Sequence, residues 1–350
     1  MSGDMKTAVV LFNLGGPDGL QAVRPFLFNL FNDPAIINLP TIARWPLAQL
    51  MSRRRAPVAR DIYNKIGGSS PLLQMTEIQA SALDVSLNSG EGVFKSFVCM
   101  RYWHPMSADV AARVRDFAPD RIVLLPLYPQ FSTTTTASSL GDWHRSAAAA
   151  GLDVPTATVC CYPGDDDLAR AVADLIRAEP LYGQDTVRVL FSAHGLPQKI
   201  VDAGDPYPAH VAKTVETTLA HLDKPDLDWA ICYQSRVGPL QWIGPSLNDE
   251  LKRAAADQMP VVVVPIAFVS EHSETLVELD MEYREMAAQL GVPEYARVPT
   301  VCDNPHFIGG LKKLVERAIA MESGPASGNG ILSGSGERDC PTDCQSCPNS

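Results

Sequence analysis

No apolar run in the chain reaches the roughly 20 residues that a bilayer-spanning helix requires. The opening MSGDMKTAVV also lacks the basic-then-apolar order of a secretion signal. Both absences lead to the expectation of a cytoplasmic protein, with contact at a membrane surface left open. A basic excess is missing as well: 29 Lys and Arg stand against 40 Asp and Glu, a net charge of −11. Phosphate neutralisation needs a basic surface, so no nucleic-acid partner is expected. Nucleotide fingerprints are absent too. The stretch VLFNLGGPDG joins Gly15, Gly16 and Pro17 but matches neither the GxxxxGKS/T nor the GxGxxG pattern. It reads as a tight turn where backbone passes close to a neighbour. In a cytoplasmic chain, the eight cysteines are expected as thiols or metal ligands rather than disulfides.

What remains is the composition of a folded soluble protein, 46% apolar and 20% charged, and 350 residues suffice for two domains. Strand-like runs at 7–14, 94–102, 121–129, 154–162, 187–195, 228–235 and 261–270 alternate with helix-like stretches at 72–87, 107–117, 166–179, 207–221, 246–258 and 275–290. Strands that are apolar throughout are expected where helices cover both sheet faces, and the alternation argues for parallel α/β layers. The expected fold class is therefore α/β, with a first half over 1–153 and a second over 154–303. A last helix over about 304–322 opens with Asn304 as cap and Pro305 in its first turn. A Gly/Ser-rich linker and a cysteine tail fill 323–350, where composition predicts a flexible tether. The segment LPTIARWPLAQLMSRRR (39–55) is apolar and ends in three arginines. It is either an amphipathic helix with a solvated basic end or a lip that meets a hydrophobic ligand or an anionic membrane surface.

Parallel sheets place ligands at the carboxyl ends of their strands. LFSAHGLP delivers His194 to such an end, with Gly195 permitting a sharp turn and Pro197 stiffening it. A histidine so placed is either a satisfied structural group or a ligand. PIAFVSEHSETLVELDMEY carries Glu271, His272, Glu274, Glu278, Asp280 and Glu282 after a run of four valines. A helix starting near Ser273 puts Glu274, Glu278 and Glu282 at i, i+4 and i+8 on one face. Like charges at that spacing repel, and the helix dipole relieves only the first turn. The row is either a solvated acidic face or a set of oxygen ligands that guides a cation or carries protons away. A strand-end histidine and strand-end carboxylates together suggest a cation site with an acid/base role.

Several motifs, in order, resemble those of the ferrochelatase family. FSAHGLPQKIVDAGDPYP (191–208) is similar to the family's histidine signature, and YQSRVGPLQWIGPS (233–246) and the acidic stretch resemble two others. LFNLGGPDGLQAVRPFLFNLFNDP and YNKIGGSSPL resemble its amino-terminal half, so the likeness covers about residues 7 to 320. The resemblance implies two Rossmann-like domains around a cleft, a chelatase-like arrangement with the final helix packed back on the first domain. It implies a lyase that inserts ferrous iron, as substrate, into protoporphyrin IX in the last step of haem biosynthesis, although family members differ in using protoporphyrin or its tetracarboxylate precursor. It implies His194 and Glu274 as a pair facing each other across the macrocycle, with Glu271 and Glu278 extending an acidic path. By position in the family motifs, Tyr63, Ser70, Arg101, Tyr102 and Trp242 are porphyrin-wall candidates, Arg54 and Arg55 are propionate partners, and 23–55 is a membrane-facing lip. A cobalt chelatase of a corrinoid or sirohaem pathway is an alternative that the GDPYP and QSRVGP stretches fit less well. A metal-cluster or electron-transfer protein is a second, opposed by the missing nucleotide fingerprints.

The tail CPTDCQSCPNS supplies Cys340, Cys344 and Cys347, and a four-sulfur site would need one more thiolate from the body. Cys99, Cys232 and Cys302 sit in apolar surroundings and read as inert core thiols. Cys160 and Cys161 end a strand before YPGDDD, which is expected to bring at least one of them to the surface. Some ferrochelatases hold a 2Fe–2S cluster on three carboxyl-terminal cysteines and one internal cysteine, and this tail resembles that arrangement. Animal members place the internal cysteine in the stretch that here reads YPQFSTTTT, where Thr133 stands instead. The resemblance therefore leaves Cys161 or Cys160 as the fourth ligand. By spacing alone, a four-cysteine zinc site is equally served.

Overall fold

The computed structural model describes residues 5–90, 92–236, 238, 240–322, 331–335 and 339–340. These form two compact units, the first of residues 5–161 and 311–335, the second of 162–310 with 339–340. Each is a parallel sheet with helices.

In the first unit the chain runs β1 (Lys6–Asn13), α1 (Val23–Phe31), α2 (Thr41–Asn64), α3 (Leu72–Leu87), β2 (Val93–Met100), α4 (Ser107–Phe117), β3 (Arg121–Pro126), α5 (Thr136–Ala149) and β4 (Thr156–Cys161). The second unit continues with α6 (Asp166–Ala178), β5 (Arg188–His194), α7 (Gln198–Asp202), α8 (Tyr207–Leu222), β6 (Asp228–Gln234), α9 (Leu247–Ala256) and β7 (Val261–Pro265). A π-helix over Glu274–Tyr283, α10 (Arg284–Leu290) and β8 (Tyr295–Arg297) complete it. Then α11 (Pro305–Glu322) opens with Asn304 Oδ1 accepting the His306 amide at 2.9 Å, the cap expected from sequence. Finally β9 (Ile331–Ser333) returns to the first sheet.

The strand orders are β2-β1-β3-β4-β9 and β6-β5-β7-β8, with every pairing parallel. Burial on both faces explains the unbroken apolar strands: all of Val261–Pro265 is buried, as is β1 after its first residue. In the first unit Phe12 meets Trp143 edge-on at 6.0 Å. In the second, Leu190, Val263, Leu247 and Leu279 close one core. Cys99 and Cys232 are buried there as core thiols, and burial pushes the Cys99 thiol up to about 12. Cys302 is half-buried.

Two expectations change. Cys160 and Cys161 are each 1% exposed, so neither reaches the surface. The physical reason is β9: it pairs with β4 through Thr158–Ile331, Val159–Leu332 and Cys161–Ser333, and the Gly334 amide donates to the Cys161 carbonyl at 2.7 Å. A strand that would have been an edge is thereby flanked on both sides, with Phe131 packed against the thiols. Residues 331–333, read as linker, are thus a strand. The Gly15–Gly16 turn has the close neighbours expected of it. Gly15 has φ +83, and a Cβ on Gly16 would sit 2.4 Å from Ser70 Oγ.

Candidate active site

Strands β5 and β6 end side by side, His194 paired with Gln234. Gly195 makes the close approach possible: its amide donates to the Gln234 carbonyl at 2.9 Å, and a Cβ there would lie 2.9 Å from that oxygen and 3.3 Å from the Trp242 ring. The imidazole of His194 is held at a strand end with its Nδ1 2.9 Å from Glu274 Oε2, so the two side chains touch directly and leave no room between them for the macrocycle that the resemblance implied. The two side chains keep 39% and 29% exposure, so the pair is accessible. An ionised Glu274 accepts from Nδ1–H, which leaves Nε2 carrying the lone pair.

Glu274 is the first residue of the π-helix, whose i→i+5 bonding is rare and frequent at functional sites. Side-chain donors from outside meet its backbone: Gln234 Nε2 donates to the Glu274 carbonyl at 3.3 Å and Tyr295 OH to that of Leu279 at 2.8 Å. One turn on, Glu278 accepts from the Ser235 amide at 2.8 Å, from Ser235 Oγ at 2.5 Å and from Gln234 Nε2 at 3.3 Å. Ser235 holds φ +59, a left-handed conformation that aims its amide at this carboxylate. Glu282, the third member of the expected acidic row, is exposed.

Burial disfavours charge on all three central groups, and their neighbours outweigh it for Glu274 and His194 but not for Glu278. The charge and hydrogen bond of His194, with help from His272, hold Glu274 well below the usual carboxylate range. Burial, reinforced by the charge of Glu274, pushes Glu278 up despite its Ser235 bonds. His194 is pushed down by burial and up by Glu274 and Glu278, and the net shift is upward.

His272 was not singled out from sequence as a site residue, yet its Nε2 lies 3.7 Å from Glu274 Oε2. Its ring is tilted against Phe268 at 4.6 Å, and its buried Nδ1 has no hydrogen-bond partner. The available signal was the His-x-Glu spacing within SEHSE. Gln234 and Ser235 were also missed, although both lie in the quoted YQSRVGP stretch. Glu271, expected on an acidic path, is instead paired with Arg297 at 2.7 Å. Trp242 is half-buried beside Gly195 with its indole nitrogen unpartnered.

The remaining wall candidates lie in the first unit. Arg54 and Arg55 are exposed on α2, in a segment that also exposes Ile42, Trp45, Leu50 and Val58. Among the described residues no helix is long and apolar enough to cross a membrane. Tyr63 is buried near the end of α2, and Ser70 packs against Gly16 with its amide on the Pro17 carbonyl at 2.8 Å. Arg101 and Tyr102 both bond Asp33 Oδ2, at 2.7 and 2.8 Å, and Ser138 Oγ joins them at 2.5 Å. Tyr102, a wall candidate by position, is fully buried with its hydroxyl bonded to Asp33. Cys340 is buried, while Cys344 and Cys347 lie outside the described residues.

The family model that matches residues 6–319 is that of ferrochelatase. The chain belongs to the ferrochelatase family. It is 51% identical over 347 residues to a ferrochelatase of Caulobacter vibrioides, covering 98% of this chain and 97% of that protein. It is 53% identical over 329 residues to one of Phenylobacterium zucineum, with 92% and 95% covered. Among solved structures, SirB from Bacillus subtilis with Fe3+ matches with a TM-score of 0.56 at 11% identity, covering 92% of this chain and 98% of that one. The sirohydrochlorin chelatase SirB of Bacillus subtilis subspecies spizizenii, in complex with cobalt, matches at 0.54 and 12%. At such identities the likeness shows a chelatase-like fold.

Proposed function

We propose that this ferrochelatase-family protein inserts ferrous iron into protoporphyrin IX, yielding protohaem and two protons, with His194 and Glu274 as the reacting pair. The observation that carries the reading is the 2.9 Å His194–Glu274 contact at the carboxyl end of a parallel strand, with both side chains partly exposed. Insertion removes two pyrrole protons and leaves the iron ferrous, so the protein must supply a base and a route for protons. With Nδ1 donating to Glu274, the Nε2 lone pair of His194 accepts a pyrrole proton, and the carboxylate steadies the resulting imidazolium. Glu278, whose raised pKa makes it a readier proton acceptor than an ordinary carboxylate, receives protons next. The Ser235 amide and hydroxyl hold it in place for that transfer.

Anaerobic incubation with ferrous iron and protoporphyrin should extinguish free-porphyrin fluorescence. A parallel reaction with the tetracarboxylate precursor tests substrate choice. His194→Ala should abolish turnover with an unfolding transition close to that of the unmodified protein, and Glu274→Gln should slow turnover by about tenfold to a thousandfold. Either variant turning over at most of the normal rate would overturn the assignment.

The tail cysteines support a further reading, which rests on the family resemblance: a 2Fe–2S cluster held by Cys340, Cys344, Cys347 and either Cys160 or Cys161. Cys160, Cys161 and Cys340 are buried and of the residue type whose thiolates hold such clusters. When bound, such a cluster would supply a redox-sensitive tie between the tail and the body.

A further inference from the structure

The stretch 271–282 carries five carboxylates, and the structure sorts them. Glu274 and Glu278 bond His194, Ser235 and Gln234. Glu271 and Asp280 turn instead onto one cation. Arg297, the last residue of the edge strand β8, has a side chain only 7% exposed. Its Nε and Nη2 donate to the two oxygens of Asp280 at 2.9 and 2.6 Å, and its Nη1 donates to Glu271 Oε1 at 2.7 Å. That Glu271 oxygen also accepts the Thr300 amide at 3.0 Å. The two anchors bracket Glu274 along the chain, one just before the π-helix and one in its second half.

We propose that Arg297 is a positioning residue for metal insertion, clamping Glu271 and Asp280 so that the π-helix between them presents Glu274 to His194. The inference rests on the reading that this pair does the chemistry. A π-helix needs outside support, because its register competes with the ordinary α form. β8 supplies that support twice, through Arg297 and through Tyr295 OH on the Leu279 carbonyl. If the clamp is lost, the buried Glu271 loses its cation and the half-buried Asp280 keeps only Arg284, at 3.7 Å, so the segment can slip toward the α register. The line from Glu274 to His194 would then turn away. A displacement of about 1 Å at a reacting group can cost on the order of a hundredfold in rate. Glu271 thereby leaves the proton route. It is an anchor, kept ionised by the neighbouring guanidinium although burial opposes it.

The test compares Arg297→Gln, Arg297→Lys and Asp280→Asn, with His194→Ala as reference, in the full chain. For Arg297→Gln, kcat should fall at least tenfold while KM for porphyrin and for ferrous iron stays within about threefold. Amide hydrogen exchange should quicken across 274–283 but not in β5 and β7. Arg297→Lys should recover only part of the rate, since an ammonium cannot reproduce the bidentate fork. Should Arg297→Gln fail to fold, Asp280→Asn carries the test, because it leaves the Glu271 bond in place, and it should show the same kcat loss. Normal kcat in a folded Arg297→Gln or Asp280→Asn protein, with His194→Ala inactive, overturns the clamp alone. Normal turnover by His194→Ala overturns the active-site reading beneath it.

Discussion

His194 is pulled two ways: burial disfavours its cation, while the charge and hydrogen bond of Glu274 and the charge of Glu278 favour it, and the carboxylates win. A pKa raised on folding contributes stability that is complete below the unfolded-state value, about 6.5, and is lost as pH rises through the folded value. Glu274 is depressed, so its contribution is present above its unfolded value, about 4.3, and is lost as pH falls through the folded one. The pair therefore stabilises most between those two limits. Glu274→Gln removes the main upward pull on His194 and leaves burial, so the imidazole should titrate at lower pH than in the unmodified protein. Following the His194 ring proton by NMR checks this, and an equal or higher titration midpoint would contradict the assigned cause. The stability difference between the two proteins should also shrink as pH rises from 6 to 9 in parallel urea unfolding series. Much of this site was legible in the sequence, because a strand-end histidine and carboxylates four apart are local patterns. The sorting of those carboxylates was not. Arg297 lies 26 residues from Glu271 and 17 from Asp280, and no spacing rule links them. The bond from Tyr102 to Asp33 was equally hidden, since the two lie 69 residues apart.

At the level of elements, the π-helix is the least predictable piece. A row of carboxylates four apart stays on one side in either the α or the π form, so the pattern is silent about register. Donors from elsewhere meet the helix carbonyls, Tyr295 and Gln234 among them. Tyr295→Phe removes the hydroxyl bonded to the Leu279 carbonyl and should destabilise the protein by about 1 kcal/mol, read as a lower urea midpoint at unchanged slope. An unchanged midpoint would show that the bond contributes nothing. The strands were easier to read, because burial on both faces writes itself as unbroken apolar runs. Their ends were overestimated: β7 stops at Pro265, where the apolar stretch runs on to about 270 as turns. Helix α2 was underestimated, continuing past the arginines to Asn64 with Pro46 and Pro57 inside it.

For the molecule as a whole, composition led correctly to parallel α/β layers, while the fate of the tail depended on a pairing that composition cannot show. Three residues after a Gly/Ser-rich stretch are too short to announce a strand, yet they flank β4 and bury both of its cysteines. If the tail thiols carry a 2Fe–2S cluster, anaerobically purified protein should be reddish, contain iron and acid-labile sulfide, and bleach on reduction. Cys344→Ser should lose all three signatures, and a colourless protein holding stoichiometric zinc would refute the cluster. The β4–β9 pairing also has a consequence during synthesis. Ribosomes deliver roughly 5–20 residues per second from the amino end, and β1 to β4 emerge long before their last neighbour. Throughout the making of the second unit, the nascent first sheet carries an open parallel edge of the kind that recruits foreign strands. The strand that closes it follows the whole of residues 162–310 in chain order, so the edge stays open for as long as that unit takes to be made.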